Sequence, residues 1–237
     1  MVTVVLPAYN EADNLAPLIE TIARLGYQTV VVDDGSTDDT AKVAEEAVSR
    51  FAGVHLMRHD GNRGLGVAVR TGLKAAVDMG SDRIVVMDSD GSHDPSLIGE
   101  MLKHREDVVI ASRFVPGGQV VGVPLHRQII SIAASVIMRQ MMPMPGVRDY
   151  SCGYRCYSAN VLRRASASYG WDNIIAHPGF ECMVELLGKL SRLGATVTEV
   201  PLVLRYDRKI GQSKMRIART VRGYWNLKKE SGTWVSA

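Results

Sequence analysis

An α/β fold built on a mostly parallel sheet is predicted by three observations. Short β-branched apolar runs alternate with amphipathic helical patterns across the first 112 residues. The runs are nearly continuous rather than alternating, as strands covered on both faces must be. Polar and acidic residues gather just after the strands, where ligands bind in open sheets of this kind.

The elements follow in order. Val2–Leu6 reads as a buried strand stopped by Pro7, and Ala12–Leu25 as a helix with Leu15, Leu18, Ile19, Ile22 and Leu25 on one face and Asn10 as its cap. Thr29–Asp33 is a second strand with its turn at Asp33-Asp34-Gly35-Ser36, and Thr37–Phe51 a second helix. Val54–Met57 is a third strand; Gly61–Gly66 then leads into a helix over Val67–Met79. Ile84–Met87 ends in Asp88-Ser89-Asp90-Gly91, a helix starts at Pro95, and Val108–Ala111 is a further strand.

The second half has another texture. Val115–Gly118 is a loop, Pro124–Met141 an apolar helix, and Met142–Gly146 a breaker. Asp149–Arg155 precedes a short strand and a helix from Ser158; Gly179–Leu193 is helical. Thr196–Tyr206 is a strand interrupted by Pro201, hence near an edge. From Arg205 to Lys229 stand nine Lys or Arg and a single acid, Asp207, a solvated helix face or a surface drawn to anionic lipid. No linker divides the chain, so residues 1–237 are expected to form one domain, with a nucleotide half over 1–112 and an acceptor half over 113–237.

Composition narrows the function classes. A net charge of +3 is too weak to argue for nucleic acid. Three cysteines, Cys152, Cys156 and Cys182, form no disulfide framework and suit buried thiols in a reducing compartment. There is no secretory signal pattern and no run long enough to span a bilayer, so a cytoplasmic protein is expected, with Pro124–Met141 and the basic tail as its route to peripheral membrane contact.

Asp88 and Asp90 carry the chemistry. On a strand, residues two apart project to the same side, and two adjacent carboxylates repel unless a cation lies between them. Hard oxygen donors select Mg²⁺ or Mn²⁺, which bridge substrate phosphates. As acids in a turn they have a plainer explanation, solvation, as do Asp33-Asp34 and Asn10-Glu11.

Taken together, Leu6–Glu11, Val32–Ser36, Gly64–Gly66, Met87–Asp90, Ala111–Arg113, Asp149–Arg155, Asp207-Arg208 and Gly211–Lys214 resemble family 2 glycosyltransferases of GT-A fold, a Rossmann-like sheet flanked by helices. The likeness is greatest to polyprenyl-phosphate and dolichyl-phosphate mannose synthases. It implies that Pro7, Tyr9 and Glu11 line the nucleoside pocket and that Asp34 bonds the base. Gly64, Ser89 and Lys214 fall on the nucleotide sugar, Asp88 and Asp90 on ribose and metal, with Ser92 a third metal ligand. Arg113, Arg127 and Ser131 face the acceptor phosphate, and Arg208 closes over the phosphates. Asp149 either shapes this site or, for a hydroxyl acceptor, is the base. The implied reaction is inverting transfer of a hexose, mannose from GDP-mannose, to a polyprenyl phosphate.

Two features depart from the resembled pattern: the segment Ala165–Pro178, and Met183 where many relatives carry Gln. They leave open a second expectation, the same fold using UDP-GlcNAc or UDP-glucose with a soluble or carrier-bound acceptor. A third reading takes Asp88-Ser-Asp-Gly-Ser92 as the nucleophile motif of haloacid-dehalogenase-type phosphatases. That motif belongs on a first strand, and here three strands precede it.

Overall fold

The computed structural model describes residues 1–123, 132, 135–136, 138–140, 143–208 and 217–234, with no side-chain description at 208 and 217–221. Strands β1 (Val2–Ala8), β2 (Gln28–Asp33) and β3 (Val54–Arg58) are joined by helices α1 (Ala12–Arg24) and α2 (Thr40–Arg50). Helix α3 (Leu65–Asp78) returns to β4 (Arg83–Val86), followed by the short α4 (Ile98–Met101) and β5 (Val108–Ser112). Then come β6 (Gln119–Val121), β7 (Arg155–Ser158), α5 (Ala159–Tyr169), α6 (Trp171–Ile174), α7 (Cys182–Arg192), β8 (Val197–Pro201), β9 (Val203–Arg205) and α8 (Ile217–Glu230).

The main sheet runs β3-β2-β1-β4-β7-β5-β8, parallel except for β7, and β6 pairs with β9 in a small second sheet. Right-handed crossovers put α1 and α2 on one face as the chain steps outward from β1, and α3 on the other as it returns. Val4–Leu6, Val30–Val32, Ile84–Met87 and Val108–Ala111 are buried from both sides, which is why these runs carry no polar alternation. Strand order reverses between β1 and β4, so the crevice that binds ligands in such sheets lies past their carboxyl ends.

Several boundaries differ from the sequence reading for local reasons. Pro7 does not stop β1, which pairs through it to Ala8. Its missing N–H points to the β4 side, where the ladder has already ended at Val5–Val86 and nothing is lost. Glu11, not Asn10, is the N-cap of α1; Asn10 sits at φ +53° and turns its side chain to Thr37 instead. β4 ends at Val86, so Asp88 and Asp90 project from a turn rather than from a strand. The predicted 196–206 strand is divided at Leu202 between the two sheets. Most of the apolar helix expected over 124–141 lies outside the described residues.

Candidate functional site

On the nucleotide side, the turns after β1 and β2 are stitched together. Asp34 N donates to Ala8 O at 2.8 Å, Asn10 N to Ser36 Oγ at 3.0 Å, Thr37 N to Asn10 Oδ1 at 2.8 Å and Glu11 N to Thr40 Oγ1 at 2.8 Å. Pro7 and half-buried Tyr9 stand at this rim; Glu11 is buried and accepts from Asn14 Nδ2 at 2.9 Å. Asp34, assigned to the base by resemblance, spends its carboxylate within the protein. It accepts from Arg63 N (3.0 Å), Gly64 N (2.8 Å) and His59 Nδ1 (2.7 Å), bracing the Gly61–Gly64 turn on β2.

The glycines of that turn serve close packing. Gly64 holds φ +96°, and a Cβ there would come within 2.5 Å of Pro178 O; at Gly66 it would meet His177 O at 2.0 Å. Through His177 and Pro178 the Ala165–Pro178 segment therefore seats directly on the start of α3. Glu185 of α7 holds this segment, accepting from Ala176 N at 3.0 Å, His177 N at 2.9 Å, His177 Nδ1 at 3.1 Å and the Lys189 ammonium.

Across the crevice, Ser89 Oγ donates to Pro7 O at 2.8 Å, pinning the acidic turn to β1. Asp90 is buried, and its Oδ1 accepts from Ser92 N (3.1 Å) and Ser92 Oγ (2.6 Å). Ser92, expected as a metal ligand, stands beside Asp90 and donates to it. Asp88 is half-exposed, and a side chain at Gly153 would bring its Cβ within 3.1 Å of Asp88 Oδ1. These are hard donors of the kind that suit Mg²⁺ or Mn²⁺. Among the described residues no group of three or more His, Cys, Asp or Glu could hold a metal alone. Asp88 and Asp90 could supply two oxygens to such a cation, with a bound ligand or water supplying others.

On the acceptor side Arg113, at the end of β5, forks onto Asp149, with Nε to Oδ2 and Nη2 to Oδ1 both at 2.7 Å. Arg113 N, Ser151 N and Cys152 N also donate to that carboxylate, and Ser151 Oγ accepts from Arg113 Nη2. Burial alone would raise the Asp149 pKa, but the Arg113 charge and these bonds outweigh it and hold Asp149 below the usual carboxylate range. A carboxylate so engaged is a structural anchor and a poor base. Beside it a cavity of about 130 Å³ is lined by Phe114, Ile132, Ser135, Val136, Arg139 and Arg148.

Arg127, Ser131 and Lys214 lie outside the described residues; Arg208 ends a single 3₁₀ turn, Tyr206–Arg208, without a described side chain. The three cysteines are free and buried, as composition suggested. Sequence reasoning missed Arg155, fully buried on β7, which donates to Met183 O and Tyr150 O at 2.6 Å each and so ties the start of α7 to the Asp149 loop. A lone arginine within Tyr154-Arg-Cys-Tyr157 was the available signal. Sequence reasoning also assigned no role to His59, which bonds Asp34, or to His93, whose Nε2 lies 3.9 Å from Asp88 Oδ2.

Comparison with known proteins agrees with this architecture. The model of glycosyl transferase family 2 matches residues 3–168. An undecaprenyl-phosphate mannosyltransferase of Micrococcus luteus is 35% identical over 221 residues, 90% of this chain and 87% of that protein. A polyprenol monophosphomannose synthase of Mycolicibacterium smegmatis is 33% identical over 218 residues, 90% of this chain and 80% of its own length. A mannosyltransferase of Pyrobaculum calidifontis, solved with GDP-Man and Mn²⁺, superposes with a TM-score of 0.57 at 17% identity, over 93% of this chain and 60% of that one.

Proposed function

The chain belongs to glycosyl transferase family 2, and we propose that it moves mannose from GDP-mannose to a polyprenyl phosphate with inversion at the anomeric carbon. The two mannosyltransferase relatives, which cover nine-tenths of the chain, support both sugar and acceptor class. Asp88 and Asp90 would hold a divalent cation, Mg²⁺ or Mn²⁺, which when bound offsets diphosphate charge as the nucleotide leaves. Pro7, Tyr9 and Glu11 bound the nucleoside end of the crevice, and Asp34 fixes the Gly61–Gly64 turn beside it.

The Arg113–Asp149 clamp carries the acceptor assignment. Asp149 is the acid that the acceptor half offers as a base, and its oxygens are committed to Arg113, Ser151 and Cys152. A hydroxyl acceptor needs a base; a phosphate monoester, with a second pKa of about 6, does not. A phosphate oxygen attacks the anomeric carbon, the bond from that carbon to the diphosphate oxygen breaks, and its electron pair leaves with the nucleotide. Arg113, braced by Asp149, presents its remaining donors to the incoming phosphate, and Arg208 and Lys214 meet phosphate from the closing side. The work is charge stabilisation and alignment rather than proton transfer.

An apolar acceptor tail asks for contact with a bilayer. No described helix is long and apolar enough to cross one. Exposed Ile132, Val136 and Trp225, with basic Arg139 nearby in sequence, support peripheral contact instead. The phosphatase reading falls with the family assignment and with three strands preceding Asp88.

Incubation with radiolabelled GDP-mannose, Mn²⁺ and a short polyprenyl phosphate tests the proposal. Label passing into organic solvent only when the acceptor bears phosphate is the expected result. Equal transfer to the unphosphorylated polyprenol, or turnover of a UDP-sugar with a soluble acceptor alone, overturns it.

A further inference from the structure

We infer that His93 is a positioning residue for Asp88, holding its main chain and aiming its carboxylate just past the end of β4. The inference rests on the reading that Asp88 binds the cation. β4 ends at Val86, two residues before Asp88. His93 Nδ1 accepts the Asp88 N–H at 3.1 Å. An accepting Nδ1 places the ring proton on Nε2, and Nε2 lies 3.9 Å from Asp88 Oδ2, oriented toward it by charge without being bonded to it.

The ring itself has little freedom. It is buried and stacks on Tyr154, with centroids 4.9 Å apart and planes at 24°. Tyr154 is fully buried and donates its hydroxyl to Asp94 O at 3.0 Å, fastening the far side of the same turn. The preceding residue, Gly153, leaves clear the space against Asp88 Oδ1 that a side chain would fill. Consecutive residues entering β7 therefore open the approach to Asp88 and buttress the ring beneath it. A ligand whose support is locked in this way is presented in one orientation, and loss of such support weakens metal binding.

Titration calorimetry of Mn²⁺ with GDP, and separately with UDP, tests this on three variants. H93F keeps the stack and loses both nitrogens; H93N keeps an acceptor at the place of Nδ1; H93Q keeps an amide near Nε2 and nothing at the place of Nδ1. H93F should weaken Mn²⁺–nucleotide binding about tenfold or more while H93N stays within about threefold of wild type. A purely structural histidine would instead lower the melting temperature of both and leave the affinity of the folded protein unchanged. H93F binding like wild type, or H93N failing as badly as H93F, overturns the inference; where H93F does not fold, H93Q weaker than H93N supports it and the reverse order overturns it. A wild-type chain that binds neither nucleotide with Mn²⁺ overturns the reading of Asp88 and this inference with it.

Discussion

Arg113 and Asp149 grip one another through two parallel bonds of 2.7 Å, joining the end of β5 to the loop before β7. Asp149 is fully buried and the Arg113 side chain is 14% exposed, so solvent screens the pair little. Removing one partner leaves a buried charge uncompensated. D149N is expected to cost about 3–5 kcal/mol in urea unfolding and to abolish transfer. R113K keeps the charge but loses the fork, and should fold while raising the KM for polyprenyl phosphate far more than that for the nucleotide sugar. Equal rises in both KM values would detach Arg113 from the acceptor.

The Glu185 cluster ties stability to pH. Burial opposes the Glu185 charge, but His177, Lys189 and two main-chain amides outweigh it and hold its pKa at about 2. Its contribution is present above its ordinary value of 4.5 and lost as pH falls toward 2. His177 is raised above its ordinary 6.5, first by its bond to Glu185; Glu230 lies 3.4 Å from its Nε2, and Glu181 adds a smaller pull. Its contribution is complete below 6.5 and lost as pH rises through the folded value. Melting temperature should decline on both sides of this window. H177Q is expected to flatten the alkaline decline and, because His177 helps hold Glu185 down, to shrink the acid limb as well; an alkaline decline parallel in wild type and H177Q would refute this.

The sheet was legible because strands buried on both faces leave an unbroken β-branched trace, and Ile84–Met87 or Val108–Ala111 could hardly be anything else. The acids of the rim were legible because they follow those strands. What they bond to was not. Asp34 is committed to main-chain amides 29 and 30 residues away, a relation that residue types do not encode. The histidines offered no role for the same reason, since His59, His93 and His177 each come near a carboxylate only after the chain has folded back. The short strand before Ser158 was read, but not its antiparallel direction, because four residues carrying a buried arginine have too little pattern to reveal it.

The seam between α3 and the 177–178 segment can be tested by adding one carbon. A Cβ at Gly66 would stand 2.0 Å from His177 O, a backbone atom that cannot swing aside. G66A should therefore destabilise the fold by about 1–3 kcal/mol and lower nucleotide affinity through the displaced turn. G99A is the control, because nothing lies within 4 Å of that position and the exposed helical site gains slightly from alanine. Thermal melts giving the two variants equal shifts would show that the seam tolerates expansion.

Asp88 and Asp90 have different surroundings, which separates metal binding from folding. Asp88 is half-exposed, so D88N should leave the melting temperature nearly unchanged. Asp90 is buried and holds Ser92 through two bonds, so D90N should lower stability modestly as well as activity. Both are expected to reduce kcat/KM about a hundredfold or more, the scale seen when a group stabilising developing charge is lost. Chelation with EDTA should silence wild type reversibly, and titrating Mn²⁺ or Mg²⁺ back should restore it with a midpoint that shifts upward in D88N. A wild-type enzyme at full rate in EDTA would remove the cation from the reaction and leave Asp88 only the ribose.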